Sequence, residues 1–213
     1  QEREFSGVLF LERHHPPSVD QLLKLNIPVA VANCEGALEI PGSRMDYREV
    51  GRLAGYELLR GGHRKIGVIT GNPTQTIFRE LLAGLRGALA EDEVYLNPEW
   101  ICRIEGDTWP LREEEQQLLE KLLGNPAERP DAIFTMRDIR ARVLYAECAA
   151  RQLRIPEDIS IISYDDNTWK SAERVGLTTI REPVYDLGFG AVQLLHDWIT
   201  TGRRPEDWIC HGE

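Results

Sequence analysis

The stretch from Pro130 to Asp166, PDAIFTMRDIRARVLYAECAARQLRIPEDISIISYDD, determines the fold prediction. It begins with an apolar run at residues 131–135 and ends with a second run at 159–163. The apolar positions between the two runs are Ile139, Val143, Ala146, Ala150 and Leu153. Their steps of four, three, four and three residues are the spacing of one helix face. A strand, a helix and a second strand in this order predict parallel pairing, because the helix returns the chain to the same end of the sheet.

The same alternation extends in both directions along the chain. The predicted strands are 7–11, 28–32, 65–70, 100–104, 131–135, 159–163 and 208–211. The predicted helices are 18–25, 46–60, 77–90, 111–123, 139–153 and 187–199. Alternation of this kind is typical of α/β proteins with parallel sheets and helices on both faces. Ligands of such sheets bind beyond the carboxyl ends of the strands, so the loops that follow strands are the candidate site.

Composition excludes several classes of protein. The formal net charge is −10, and a phosphate backbone would be repelled by most of such a surface. No apolar run approaches the length that a membrane helix needs, about 20 residues. The four cysteines, Cys34, Cys102, Cys148 and Cys210, are far apart, which predicts free buried thiols in a reducing cytoplasm and no metal centre. We expect no cofactor and no membrane partner.

Four local patterns stand in order along the chain. They are Asp46-x4-Gly51-x2-Ala54-x3-Leu58-x3-Gly62-His-Arg-Lys-Ile66, Pro130-Asp-Ala-Ile-Phe134 with Asp138, Ile155-Pro-Glu-Asp-Ile-Ser-Ile-Ile-Ser-Tyr-Asp-Asp166, and Leu177-Thr-Thr-Ile-Arg-Glu-Pro183 with Gly188 and Ala191. Together they resemble the core of the LacI/GalR transcriptional regulators, from about Phe5 to about Trp208. Each pattern alone is modest, but four in the same order and spacing are specific.

The resemblance implies two Rossmann-like lobes with parallel sheets, similar to the periplasmic sugar-binding proteins, with a ligand in the cleft between the lobes. We expect the N-terminal lobe to comprise residues 1–70 and 184–204, and the C-terminal lobe residues 71–181 and 205–213. The first strand and helix of the N-terminal lobe, and the DNA-binding head, are expected to lie outside this sequence. The family further implies a homodimer that binds operator DNA through that head.

Three candidate ligand-binding residues follow from the resemblance. Asp46 matches an aspartate that faces the ligand in sugar-responsive members, although it equally suits the N-cap of the following helix. Asp165 matches the first aspartate of a Gly-Phe/Tyr-Asp-Asp pattern, with Ser163 in place of the glycine, and its alternative role is a loop cap. Trp109 lies where relatives place an aromatic ring against the flat face of the ligand, or it fills a gap between lobes.

The sequence departs from the family at three ligand-linked positions. Arg137-Asp138 replaces Asn-Asp, and arginine prefers carboxylate or phosphate partners. Arg137 therefore favours either an anionic ligand or a structural pair with Asp138 or Asp165. Leu81 stands where the family has an arginine, and Glu182 stands where it often has glutamine. The candidate site is thus Asp46, Trp109, Arg137, Asp138, Asp165 and Glu182.

The predicted function is that of a cytoplasmic effector-sensing core, which binds a small polar molecule such as a sugar or a sugar derivative and is not an enzyme. A sugar-binding transport receptor without a DNA function would have the same fold. A hydrolase that uses Asp138 and Asp165 is a third reading, but no nucleophile elbow, phosphate loop or metal cluster accompanies these carboxylates.

Overall fold

The structure, a computed structural model, describes residues 5–11, 19–34, 39–104, 111–166 and 176–213. They form two compact units: unit 1 is Gln1–Asp46 with Pro183–Gly212, and unit 2 is Tyr47–Glu182 with Glu213. The strands are β1 Val8–Phe10, β2 Val29–Ala32, β3 Gly42–Met45, β4 Ile66–Thr70, β5 Ile101–Arg103, β6 Ala132–Thr135, β7 Ser160–Asp165, β8 Thr178–Arg181 and β9 Trp208–Cys210. The helices are α1 Val19–Lys24, α2 Tyr47–Arg60, α3 Thr76–Glu91, α4 Glu113–Leu123, α5 Asp138–Ala150 and α6 Val184–Thr201.

Unit 1 is built on a parallel sheet in the order β1-β2-β3-β9. Helix α6 packs across these strands and ends at Gly202, whose φ of 69° is the left-handed conformation that glycine adopts without steric cost. A small apolar core lies around α1 and β2, and its buried members are Val19, Val29, Val31, Cys34 and Ile40.

Unit 2 contains a second parallel sheet in the order β5-β4-β6-β7-β8. The main apolar core of this unit includes Ile69, Leu119, Leu122, Ile133, Leu144 and Ile159. Strands β6, β7 and β8 are neighbours, so the loops that follow them emerge at one edge of the sheet.

Helices α2 and α3 cross with their backbones in contact, because a glycine lies at the crossing on each helix. A Cβ atom on Gly51 would lie 2.1 Å from the carbonyl oxygen of Leu81, and one on Gly84 would lie 1.9 Å from that of Arg48. Real Cβ atoms do not approach an oxygen this closely, so both positions require glycine. In the sequence pattern that begins at Asp46, Gly51 is therefore required by the packing of α2 against α3.

The fold class is confirmed, since both sheets are parallel and alternate with helices. The division into lobes differs from the expected one. Residues 47–70 belong to unit 2 because β4 pairs with β5 and β6, whereas residues 205–212 belong to unit 1 because β9 pairs with β3. Strands β3 and β8 were absent from the predicted strands, since the Gly-Ser-Arg-Met and Thr-Thr-Ile-Arg runs are not continuous apolar stretches.

Candidate functional site

The carboxyl ends of β6, β7 and β8 bring four of the predicted site residues to one edge of the unit 2 sheet. Arg137 and Asp138 follow β6, Asp165 ends β7, and Glu182 follows β8. The backbone N–H of Glu182 donates to the carbonyl oxygen of Asp165 at 3.2 Å, which ties the end of β8 to the end of β7. Parallel strands with adjacent carboxyl ends place these side chains where ligands of α/β sheets bind.

Arg137 and Asp165 form an ion pair at this edge. The distance from Nε of Arg137 to Oδ2 of Asp165 is 3.4 Å. The Asp165 residue is 4% exposed, whereas solvent reaches 25% of the Arg137 side chain. The pair places Arg137 beside Asp165, one of the two carboxylates that the sequence offered as its structural partner.

Asp138 is completely buried at the first position of α5. Its Oδ1 accepts a hydrogen bond of 2.9 Å from Oγ1 of Thr179, and its Oδ2 is buried without a hydrogen-bond partner among the described residues. Burial and the neighbouring charge of Asp165 raise the pKa of the Asp138 carboxyl to about 6, while the nearby hydroxyls of Ser163 and Thr179 oppose the rise. A carboxyl group with such a pKa changes charge in mildly acidic solution.

Glu182, which follows β8, interacts electrostatically with Tyr164 of β7. Burial raises the pKa of the Tyr164 phenol well above its ordinary value, and electrostatic interactions with Tyr47 and Glu182 raise it further. The ring of Tyr164 meets that of Tyr47 edge to face, with centroids 6.1 Å apart. Tyr164 therefore stays a neutral phenol, and Tyr47 joins the first turn of α2 to the end of β7.

Arg140, one turn into α5, is a buried charge at the same edge that sequence reasoning missed. It is 4% exposed, and it donates from Nε to the carbonyl oxygen of Ile104 at 2.7 Å and from Nη1 to that of Met136 at 2.9 Å. Its guanidinium carbon lies 5.0 Å from the centroid of the Phe78 ring, a cation–π distance. Arg140 thus links the residues that follow β5 and β6. Its position within an otherwise amphipathic pattern gave no signal, because exposed arginines are common on helices.

The remaining positions that the sequence singled out are Leu81, Asp46 and Trp109. Leu81, where the resemblance expects an arginine, is fully buried in unit 2. Asp46 belongs to unit 1, where its backbone N–H donates to the carbonyl oxygen of Cys210 at 3.0 Å and extends the pairing of β3 with β9. Trp109 lies outside the described residues. The role of each predicted residue in ligand binding stays a prediction.

Three further observations concern metal binding, the cysteines and membrane-spanning helices. Within the described residues, no group of three or more His, Cys, Asp or Glu side chains is arranged to hold a metal ion. The cysteines are buried free thiols, as predicted. None of the helices described combines the length and the hydropathy that a bilayer crossing requires.

Two parallel-sheet units with charged side chains at the carboxyl edge of a sheet define the class of periplasmic-binding-protein-like receptor domains. The family model "Periplasmic binding protein-like domain" matches residues 56–209, and the chain belongs to this family.

The chain is similar to several LacI-type transcriptional regulators. The chain is 37% identical to a ribose operon repressor of Haemophilus influenzae over 68% of its length and 42% of that protein. It is 33% identical to the HTH-type transcriptional repressor PurR of Klebsiella pneumoniae over 98% of its length and 61% of that protein. A LacI family regulator from Enterococcus faecium, solved with bound ribose, has the same fold, with a TM-score of 0.76 and 24% identity over 92% of this chain and 71% of that one.

These matches confirm the resemblance found in the sequence, and the relatives are repressors rather than enzymes. The chain spans about half the length of the curated relatives it matches.

Proposed function

We propose that the chain is the effector-binding part of a cytoplasmic LacI-type transcriptional regulator, and that it binds a small polar ligand, a sugar or a sugar derivative. Binding changes the affinity of the intact homodimeric regulator for operator DNA, which is held by a separate DNA-binding head. Coupling of this kind between two sites amounts to about 1–3 kcal/mol in typical allosteric proteins.

The observation that carries the proposal is the cluster of Arg137, Asp165 and Glu182 at one edge of the unit 2 sheet, in a chain whose relatives are repressors. A carboxylate such as that of Asp165 accepts two hydrogen bonds in defined directions, which suits the hydroxyl groups of a sugar. The bound ribose of the Enterococcus faecium regulator supports the same ligand class.

The candidate residues have separate proposed roles. Asp165 accepts hydrogen bonds from ligand hydroxyls, and Arg137 donates to ligand oxygens. Glu182 and Asp46 are proposed as further acceptors, and Trp109 as the ring that stacks on the ligand. Asp138 is completely buried, so we propose that it acts on the ligand through α5 and β8, which its hydrogen bond with Thr179 joins.

The test is a thermal-unfolding screen of the purified chain with ribose, galactose, glucose, adenosine, ribose 5-phosphate and ribonate. A true effector at about 100 times its Kd should stabilise the chain by roughly 2.7 kcal/mol. Stabilisation without consumption of the ligand supports the proposal. Turnover of a stabilising ligand, or no stabilisation by any sugar in the panel, contradicts it.

A further inference from the structure

The amino end of α5 carries two arginines, Arg137, which is partly exposed, and Arg140, which is buried. Arg137 is the N-cap residue of α5, and the backbone N–H of Arg140 donates to its carbonyl oxygen at 3.0 Å. The amino end of a helix carries a partial positive charge, to which the two guanidinium groups add. Solvent reaches 25% of the Arg137 side chain, so this charge is within reach of a solute.

The backbone of Arg137 is held in a conformation that L-amino acids rarely adopt. Its φ is 135° and its ψ is 141°, and the residue makes no side-chain cap for α5. Such a conformation costs of order 1–3 kcal/mol and occurs mostly at ligand and active sites. Glycine would adopt it without strain, and an asparagine would cap the helix better. Neither the backbone conformation nor the capping of α5 therefore explains the arginine.

The contact between Arg137 and Asp165 is long for an ion pair. Charge-assisted N–H···O bonds are usually about 2.7–2.9 Å, whereas Nε of Arg137 lies 3.4 Å from Oδ2 of Asp165. A phosphate or carboxylate group presents two oxygens to the planar fork of a guanidinium and can form shorter, bidentate bonds. An anion can therefore compete with Asp165 for Arg137.

A second observation comes from Asp138, the residue that follows Arg137. One of its carboxylate oxygens, the buried Oδ2, lacks a hydrogen-bond partner among the described residues. Because burial raises the pKa of this carboxyl to about 6, it takes up a proton readily. In the protonated form it carries no charge and so opposes an anion at Arg137 less.

We infer that Arg137 is a specificity-determining residue, and that the effector carries a phosphate or carboxylate group which binds its guanidinium. The inference rests on the proposed function, since it concerns the ligand of the same site. It names a narrower class of ligand than sugars in general.

The experiment measures binding of ribose 5-phosphate, ribonate, ribose and inorganic phosphate to the purified chain by calorimetry. Ribose 5-phosphate and ribonate distinguish a phosphate from a carboxylate, and inorganic phosphate distinguishes the effector from its anionic group alone. At least one of the two anionic sugars should bind about tenfold or more tightly than ribose.

Arg137→Asn should abolish the preference for the anionic sugar, so that the anionic sugar and ribose bind with similar affinity. Arg137→Lys keeps the charge but loses the planar fork, and should retain part of the preference. Arg86→Asn, at an exposed position of α3, is the matched control and should bind as the unchanged chain does.

Equal or tighter binding of ribose overturns the inference while the proposed function stands. An anionic preference that survives in Arg137→Asn, or no binding of either anionic sugar, also overturns it. Failure of the proposed function would show differently, as the absence of stabilisation by every sugar in the wider screen.

Discussion

Arg137 and Asp165 are both non-glycine residues at positive φ, 135° and 126°, and their side chains pair across the adjacent ends of β6 and β7. Strained backbone at two facing positions is unusual, because each such residue costs of order 1–3 kcal/mol. The surrounding sheet and α5 hold both residues in place. Among the described non-glycine residues these two have the largest positive φ values, and they lie where the sequence predicts ligand contact, which is the usual location of such outliers.

Asp165→Ala should abolish ligand-induced stabilisation while the chain remains folded. Its carboxylate contributes to the site but not to the apolar core, and its removal leaves Arg137 at a partly exposed position. Thermal unfolding with and without a stabilising sugar measures the effect. Asp166→Ala is the control, because Asp166 is in the same loop and pairs with Arg181 at 2.9 Å. An equal ligand shift in both variants would remove Asp165 from the site.

Asp138→Asn should stabilise unit 2 at neutral pH. The folded-state pKa of Asp138, about 6, lies above the ordinary aspartate value, so the folded chain holds this proton more tightly than the unfolded chain. Its contribution to stability is complete below about pH 4 and is lost as the pH rises through about 6. A shift of two units corresponds to about 2–3 kcal/mol.

Urea denaturation between pH 4 and pH 8 measures this difference. The gain of Asp138→Asn over the unchanged chain should grow from near zero to its full value across that range. Asparagine retains an oxygen to accept from Thr179, so the hydrogen bond is preserved. Asp186→Asn, at an exposed position, is the control. If the gain in stability of Asp138→Asn does not vary with pH, the raised pKa does not belong to Asp138.

Gly51→Ala and Gly84→Ala should each destabilise the chain by about 1–3 kcal/mol, because overpacking forces the helices apart. Both added methyl groups would meet a backbone carbonyl, which cannot move aside as a side chain can. Gly87→Ala on the same helix α3 is the matched control, since its nearest neighbour is 3.9 Å away. Alanine there should stabilise by up to about 1 kcal/mol through helix propensity. Equal effects at Gly84 and Gly87 would contradict the backbone contact.

Arg140→Met should lower the free energy of unfolding by about 2–4 kcal/mol, since two hydrogen bonds from a charged group are lost and two buried carbonyl oxygens are left without them. Arg140→Lys should recover only part, because an ammonium group cannot span both carbonyls in the same geometry. Urea denaturation provides the measurement. The exposed Arg142→Met on the same helix should be nearly neutral, and a similar loss there would remove the special role of Arg140.

The parts of the fold that depend on apolar periodicity were predictable from the sequence. The β6-α5-β7 segment is an example: its two apolar runs and the helical face between them were located to within three residues. Strand β3 was missed because only Met45 in it is apolar, and it is held by pairing with β2 and β9. The division at Asp46 was also missed, since partner choice between distant strands leaves no local signal.

The sequence indicated which charged residues follow neighbouring strands and offered Asp138 or Asp165 as the partner of Arg137, without deciding between them. Asp138, Asp165 and Glu182 were found because they follow strands in a family-like pattern, and the structure brings them to one edge. Arg140 was missed because burial of a charge depends on what surrounds it, here Phe78 and two carbonyl oxygens. The complete burial of Asp138 was not predictable for the same reason, because it depends on the residues that the tertiary structure places around it.

The connectivity makes unit 2 an insertion into unit 1. The chain leaves unit 1 after Asp46, completes all five strands of the second sheet, and resumes unit 1 at Pro183. A single continuous gene segment for residues 47–182 therefore encodes Arg137, Asp138, Asp165 and Glu182 together with the entire sheet that positions them. Exchange of that segment between related chains would transfer these four side chains without altering any strand of the other sheet.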